Sequence, residues 1–180
     1  MLIDPAISTA LSLPLAALLA AAAAHKAIAP AEFSSVLRDY RVIPDSLAPL
    51  LAPAVILVEA MLAGGLLAPI SRSFAGLGAA VLFAIYAAAI AVNLIRGRTG
   101  IDCGCSFGRA TGRLSSALLF RNAALILSAL VAASPVSARA LGVFDFASAV
   151  LFTLAVGALY LAGESLASNA ARFHVTEQSR

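Results

Sequence analysis

Five long apolar stretches divide the chain, and charged residues gather in the connections between them. The stretches cover residues 6–24, 47–70, 74–95, 114–133 and 143–162. A hydrocarbon core takes about 20 apolar residues per helix, and in lipid only helices or closed barrels satisfy the backbone polar groups. The pattern therefore predicts an all-α polytopic membrane protein. Residues 1–164 form one transmembrane domain, and residues 165–180 form a polar, loosely ordered tail.

The first connection carries a helical pattern of its own. Pro30 suits a first helical position, where its missing N–H costs nothing. An apolar stripe at helical spacing follows it, formed by Phe33, Val36, Leu37 and Tyr40. This spacing predicts a short amphipathic helix over residues 30–42. It lies either on the membrane surface or against the ends of the bundle.

Composition and charge exclude soluble and nucleic-acid-binding proteins. Apolar residues make up 62% of the chain and charged residues 12%, whereas soluble domains carry about 25% charged residues. The basic residues are spread between apolar segments, so the net charge of +3 reflects membrane topology. The lipid bilayer is therefore the main partner, and nucleic acid is not one.

The basic residues also predict an orientation. Two of them, Arg72 and Arg139, fall on one side of the membrane, and nine fall on the side that holds the residue 96–113 connection: Lys26, Arg38, Arg41, Arg96, Arg98, Arg109, Arg113, Arg172 and Arg180. Cytoplasmic loops carry the excess of Lys and Arg. The count predicts a multi-pass protein of the cytoplasmic (inner) membrane, with the residue 96–113 connection in the cytoplasm.

Two ionisable residues interrupt the apolar stretches. Glu59 lies near the middle of the second stretch and Arg121 lies inside the fourth. A charge at such depth requires a partner or a water-filled cavity. Small and polar residues lie on the same helix face as each of the two, which favours placement towards the inside of the bundle. We expect Glu59 and Arg121 to pair, either as a lock of the bundle or as the midplane site of a carrier.

The cysteines are the main candidates for chemistry. Cys103 and Cys105 are the only two in the chain, with Gly104 between them. Thiols so close can join in a small, strained disulfide ring, and strained disulfides tend to be the labile or catalytic ones. Arg98 favours the thiolate, whereas Asp102 opposes it and is placed to handle a proton. No cofactor beyond this redox-active disulfide, and no metal, is required.

A resemblance joins these features. The succession of Lys26, Phe33, Tyr40, Pro44 and Glu59, then Asn93-Leu94-Ile95-Arg96-Gly97-Arg98, Asp102-Cys103-Gly104-Cys105 and Arg121-Asn122, resembles the methylamine-utilisation MauE family, part of a wider group of DoxX-like membrane proteins. It implies a DoxX-like four-helix bundle core with a fifth transmembrane helix and a short interfacial helix. It also implies a role in maturing methylamine dehydrogenase, whose small subunit is rich in disulfides, together with a thioredoxin-like partner.

The resemblance gives the candidate residues their roles. Cys103, Cys105 and Asp102 are the catalytic candidates, and the supporting residues are Arg98, Asn93, Glu59, Arg121 and Asn122. The chain is then a thiol–disulfide oxidoreductase or the membrane partner of one. Maturation of a periplasmic enzyme favours cysteines outside the cytoplasm, which conflicts with the charge count.

Two other functions compete with thiol–disulfide exchange. Two soft thiolates suit Cu(I), although the chain has no methionine cluster to assist them, since its two methionines are Met1 and Met61. A small-molecule carrier that uses Glu59 and Arg121 is the third hypothesis, and it leaves the cysteines incidental.

Overall fold

The computed structural model of the chain describes residues 2–98, 100–101 and 114–178, without the side chains of residues 164 and 166–178. This part contains six α-helices: α1 (Pro5–Ile28), α2 (Pro30–Asp39), α3 (Ala48–Leu67), α4 (Arg72–Ile95), α5 (Ser116–Ala133) and α6 (Val143–Gln178). A short 3₁₀ turn, Asp45–Leu47, leads into α3. A single β-bridge, between Ile3 and Val136, is the only extended pairing in the described part.

Four helices form a closed ring. Helix α1 packs against α3, α3 against α4, α4 against α5, and α5 returns to α1. Helix α6 lies outside this ring and packs on α1, and α2 packs on α3 and the end of α1. The architecture is a four-helix core with a fifth long helix beside it and a short helix across one end.

The core is made of leucine, phenylalanine and many alanines. Its buried members are Leu15, Ala16, Leu19, Ala63, Leu66, Ala75, Ala79, Ala80, Leu82, Phe83, Ala129 and Ala132. The small side chains let the helix backbones approach closely, which is how membrane helices gain packing without a hydrophobic drive between them. At Gly76 a Cβ atom would lie 2.9 Å from the carbonyl oxygen of Ala129. The contact of α4 with α5 therefore requires a glycine there.

The two ends of the bundle differ, and we name them by what they carry. At the N-terminal end α1 begins beside the end of α5: the Ile3 N–H donates to Pro135 O at 2.9 Å, and the Ser8 hydroxyl donates to Ala132 O at 3.1 Å. At the cysteine end α4 ends and α5 begins. Because the chain joins α4 to α5 through residues 96–115, the segment that carries the two cysteines starts and finishes at this end.

The sequence-based prediction of an all-helical membrane protein is confirmed. Within the described part of the chain five helices are long and apolar enough to cross a bilayer, and the short helix predicted from residue 30 is α2. The DoxX-like assignment of the core stays a prediction.

Two helices, α2 and α3, end three residues before the predicted positions, at Asp39 and Leu67, and two others continue past them. Helix α1 continues to Ile28, four residues past the predicted end at residue 24. Helix α6 continues to Gln178, where a loosely ordered tail was expected. The tail is polar, but alanine, glutamate, glutamine and arginine are good helix formers, so the helix continues through it.

Candidate functional site

The catalytic candidates Asp102, Cys103 and Cys105 lie outside the described residues. The structure describes the residues on either side of the segment that carries them, which we call the cysteine segment. The segment leaves the bundle after Arg98 and re-enters at Leu114, which is buried. The site can therefore be built from the end of α4, from the short helix α2 beside it, and from the polar groups beneath them.

A fully buried ion pair lies in the half of the bundle nearer the cysteine end. The Lys26 ammonium of α1 donates to Glu59 Oε1 of α3, and the two side chains are 2% and 0% exposed. The Tyr86 hydroxyl of α4 donates to the same oxygen at 2.7 Å. Three helices thus converge on one carboxylate, and we call this group the buried triad. Glu59 Oε2 has no hydrogen-bond donor among the described residues.

Aromatic rings complete the surroundings of the lysine. Lys26 Nζ lies 4.9 Å from the centre of the Phe33 ring and 5.2 Å from the centre of the Tyr86 ring. An ammonium over an aromatic face is stabilised by the negative face of the ring, and more so when water is excluded. Phe33 belongs to α2, so the short helix covers the triad and contributes to its stability.

The predicted pairing of Glu59 with Arg121 is wrong. Glu59 binds Lys26 and Tyr86, whereas Arg121 Nη1 donates to the Tyr160 hydroxyl of α6 at 3.0 Å, with its guanidinium carbon 5.8 Å from that ring. The prediction ended the first helix at residue 24 and so placed Lys26 in a loop. Because α1 continues to Ile28, Lys26 instead lies on the buried face of the helix.

Lys26 could have been identified from periodicity. It falls on the same stripe of α1 as the buried residues Ser8, Ser12, Leu15 and Leu19, since 18 residues make five complete turns. Tyr86 precedes Asn93 by seven residues, about two helical turns, so the two share one face of α4. The partner of Tyr86 could not be named, because spacing within one helix does not say which helix it meets.

Asn93 and Asn122 are both buried, at 0% and 2% exposure, but they differ in what they bind. Asn93 Nδ2 donates to Tyr40 O at the end of α2 at 3.0 Å, and Asn93 Oδ1 accepts from Arg98 Nη1 at 3.3 Å. Asn122 Nδ2 donates to Leu118 O within α5 at 2.8 Å. Of the supporting candidates, Asn93 and Arg98 are therefore in contact with each other next to the cysteine segment.

The described residues form no metal centre, and the groove along α1, α3 and α6 is apolar. No group of three His, Cys, Asp or Glu side chains comes together in the part that the structure describes, and the two thiols of the Cu(I) hypothesis lie outside it. An open groove of about 660 Å³ runs between α1, α3 and α6. It is lined by alanine, leucine and other apolar residues with one threonine, Thr153, and neither Glu59 nor Arg121 reaches it.

A second charged cluster lies at the N-terminal end. Arg139 donates to Asp4 Oδ1 at 2.8 Å and to Asp145 Oδ2 at 3.0 Å, and we call these three residues the surface network. The guanidinium holds the pKa of the Asp4 carboxyl below its usual range, assisted by the Ala6 N–H. The pKa of Arg139 is raised, because both carboxylates stabilise its charge.

Comparison with known proteins assigns the chain to a family. The family model described as methylamine utilisation protein MauE matches residues 4–135. The chain belongs to the MauE family. It is 39% identical to the methylamine utilization protein MauE of Paracoccus versutus over 94% of this chain and 91% of that protein. The MauE protein of Paracoccus denitrificans is 41% identical over 73% and 70% of the two chains. No solved structure matches the chain.

The matched range agrees with the architecture of this MauE family member. Residues 4–135 contain the complete ring of α1, α3, α4 and α5, together with α2 and the cysteine segment. Helix α6 lies beyond that range and outside the ring. The MauE protein of Methylorubrum extorquens, 39% identical over 91% of both chains, is similar to this chain beyond the range of the family model.

Proposed function

We propose that the chain serves methylamine utilisation as a cytoplasmic-membrane protein, and that its Cys103–Cys105 pair exchanges disulfides with a thioredoxin-like protein during maturation of methylamine dehydrogenase. Membership of the MauE family is the observation that carries the biological role. The exchange chemistry is supported by the sequence, which has two cysteines one residue apart and no other thiol.

The proposed exchange is balanced in thiols and electrons. The thiolate of one cysteine attacks a sulfur of the partner's disulfide, which forms a mixed disulfide and releases one partner thiolate. The second cysteine then attacks the mixed disulfide. The Cys103–Cys105 pair ends as a disulfide and the partner as a dithiol, and the reverse sequence oxidises the partner. The attacking cysteine in this proposal is Cys105, because the anionic Asp102 is adjacent to Cys103 and opposes its thiolate.

The proposed orientation places this pair in the cytoplasm. Lys26 no longer counts as a loop charge, since it is buried in the triad. By position in the sequence the bias stays strong. Arg72 and Arg139 fall on one side, and eight basic residues fall in the connections and tail of the other side: Arg38, Arg41, Arg96, Arg98, Arg109, Arg113, Arg172 and Arg180. The positive-inside tendency then favours a cytoplasmic cysteine end.

Non-reducing electrophoresis of cysteine variants in the native host tests the exchange. With Cys103→Ser, the remaining Cys105 should attack a partner but find no neighbour to release it, so a covalent, reductant-sensitive adduct should accumulate. Cys105→Ser should trap less, and the double variant should trap nothing. If neither single variant yields an adduct and both support growth on methylamine as the wild type does, the exchange proposal is wrong.

A further inference from the structure

The short helix α2 and the start of the cysteine segment meet at one place. We call the residues there the α2–α4 joint: Tyr40, Arg41, Asn93, Arg96 and Arg98. The last carbonyls of a helix have no partner within it. At the end of α2 two successive carbonyls are bound by side chains of α4 and the residue after it. Tyr40 O accepts from Asn93 Nδ2 at 3.0 Å, and Arg41 O accepts from Arg96 Nη1 at 3.0 Å.

The backbone at this joint adopts a conformation that needs support. Arg41 has φ +47°, in the left-handed region that usually takes glycine after a helix. A non-glycine residue stays there only where its surroundings fix it. The hydrogen bonds from Asn93 of α4 and from Arg96, the residue after α4, provide that support, so the end of α2 depends on both.

Asn93 connects this turn to the cysteine segment. The side chain has no exposure to solvent. Besides its bond to Tyr40 O, its amide donates to Ala89 O at 3.1 Å, while its Oδ1 accepts from Arg98 Nη1 at 3.3 Å. The Arg98 backbone N–H also donates to Asn93 O at 2.9 Å. Arg98, the residue after which the cysteine segment leaves the bundle, is thus held by both its backbone and its side chain to the buried Asn93.

We infer that Asn93 is a positioning residue for the Cys103–Cys105 pair, and that it acts through Arg98 to tie the start of the cysteine segment to the end of α2. The inference rests on the proposed thiol–disulfide exchange. Cys103 follows Arg98 by five positions, and five residues of chain reach at most about 18 Å. Fixing Arg98 therefore restricts where the thiols lie and what they can approach.

The expected consequence is a change in the thiol–disulfide equilibrium. Whether two neighbouring thiols close a disulfide depends on how the flanking backbone holds them. A segment released at Arg98 samples more arrangements, so the equilibrium with an external thiol changes while both cysteines are still present. A residue that only stabilised the fold would leave this equilibrium unchanged in the molecules that stay folded.

The test uses the full chain in detergent, equilibrated with mixtures of reduced and oxidised glutathione. The oxidised fraction is read by alkylation and mass shift. Asn93→Leu removes all three side-chain bonds and keeps the number and branching of heavy atoms. Arg98→Met removes the guanidinium from a half-buried position. Each should change the equilibrium constant about tenfold, which corresponds to about 30 mV for a two-electron couple. The double variant should change it no more than Asn93→Leu alone, because one residue acts through the other.

Ser8→Ala is the matched control. It removes a buried hydrogen bond, that of Ser8 Oγ to Ala132 O, at the opposite end of the bundle. It should leave the glutathione equilibrium as in the wild type. If Asn93→Leu and Arg98→Met change the equilibrium constant no more than Ser8→Ala does, the inference is overturned while the proposed function stands.

Two further outcomes are also decisive. If Asn93→Leu does not yield a folded protein, Arg98→Met alone decides, and an unchanged equilibrium in that variant overturns the inference. If the wild-type thiols exchange neither with glutathione nor with a thioredoxin, the proposed function fails, and the inference fails with it. The two failures are distinguishable. Wild-type thiols that do not exchange contradict the proposed function, whereas exchanging wild-type thiols with the same equilibrium constant in the variants contradict only the inference.

Discussion

The buried triad and the surface network hold similar charges in opposite surroundings. In the triad the Lys26 and Glu59 side chains are 2% and 0% exposed. In the surface network the Arg139 and Asp4 side chains are 45% and 42% exposed. Both join segments far apart in the chain, and both pair a cation with a carboxylate. What differs is the exposure to solvent, and this difference decides how much each pair contributes to the free energy of unfolding.

The two charged side chains of the triad are shielded from bulk solvent, so water does not replace a lost partner. Burying two charges is costly, so removal of one partner leaves a charge that nothing stabilises. In the surface network water and salt compete for each group, and pairs of this kind contribute little. The triad is therefore necessary once it is present, although apolar residues of similar volume could replace it. The surface network can be removed with little loss of stability.

The largest expected effect is that of Glu59→Gln. It leaves the Lys26 ammonium buried opposite a neutral amide, and we expect a loss of about 3–5 kcal/mol in the free energy of unfolding. Unfolding in mixed micelles with increasing dodecyl sulfate measures it. Lys26→Met combined with Glu59→Leu removes both charges and should recover most of the loss. A double variant as unstable as the sum of the single variants would show that the pair is not the cause.

Tyr86→Phe should have the next largest effect. It removes the hydroxyl that donates to Glu59 Oε1 at 2.7 Å but keeps the ring beside Lys26. A hydrogen bond to a charged group contributes about 1.5–3 kcal/mol, and the same unfolding experiment measures the loss. Ser128→Ala is the control, since its hydroxyl bonds to Ala124 O within α5 and does not touch the triad among the described residues. Equal losses in the two variants would contradict a special role for the triad.

Arg139→Gln tests the surface network and should cost less than Tyr86→Phe. The guanidinium donates to both Asp4 and Asp145, so the substitution removes hydrogen bonds that connect the N-terminus to the start of α6. The difference from the wild type should shrink as salt is added, because the Debye length falls from about 8 Å at 0.15 M to about 3 Å at 1 M. The Glu59→Gln loss should change little with salt. A loss in Arg139→Gln that salt does not alter would contradict the comparison.

Acid should act on the surface network in a defined direction. The pKa of Asp4 lies below its ordinary value of 3.8 because Arg139 bonds to the carboxylate. A carboxyl with a lowered folded-state pKa contributes stability that is present above the unfolded pKa and lost as pH falls through the folded pKa. The dodecyl sulfate fraction at the midpoint of unfolding should therefore decrease slightly when the pH is lowered below about 4. In Arg139→Gln this acid-dependent component should be reduced, and an identical profile in both proteins would exclude Asp4 as its source.

Membrane spans could be predicted from the sequence, but the triad could not. Span length and apolarity are local properties, and all five spans appear where the apolar runs lie. The partner of Glu59 depends on which helices are neighbours and on where α1 ends, and neither is local. The four extra residues of α1 moved Lys26 from a supposed loop into the core. That one boundary changed both the assigned ion pair and the charge count.

The α2–α4 joint was beyond sequence reasoning for a different reason. Its acceptors are the backbone carbonyls of Tyr40 and Arg41, which any residue type would supply. Arg98 was a candidate because it lies near the cysteines in the sequence, and Asn93 was one through the resemblance to the MauE family. Their contact with α2 became visible only in the structure.

The direction and length of α6 make it useful for deciding the sidedness of the thiols. Since α6 begins at the N-terminal end and crosses once, its last turns and the cysteine segment share one side of the membrane. The 15 residues after the span, 164–178, add a rod of about 22 Å at 1.5 Å per residue. A reporter enzyme fused to the C-terminus would be held clear of the lipid headgroups, in the compartment that the thiols face. Its activity would locate Cys103 and Cys105 without a substitution near either.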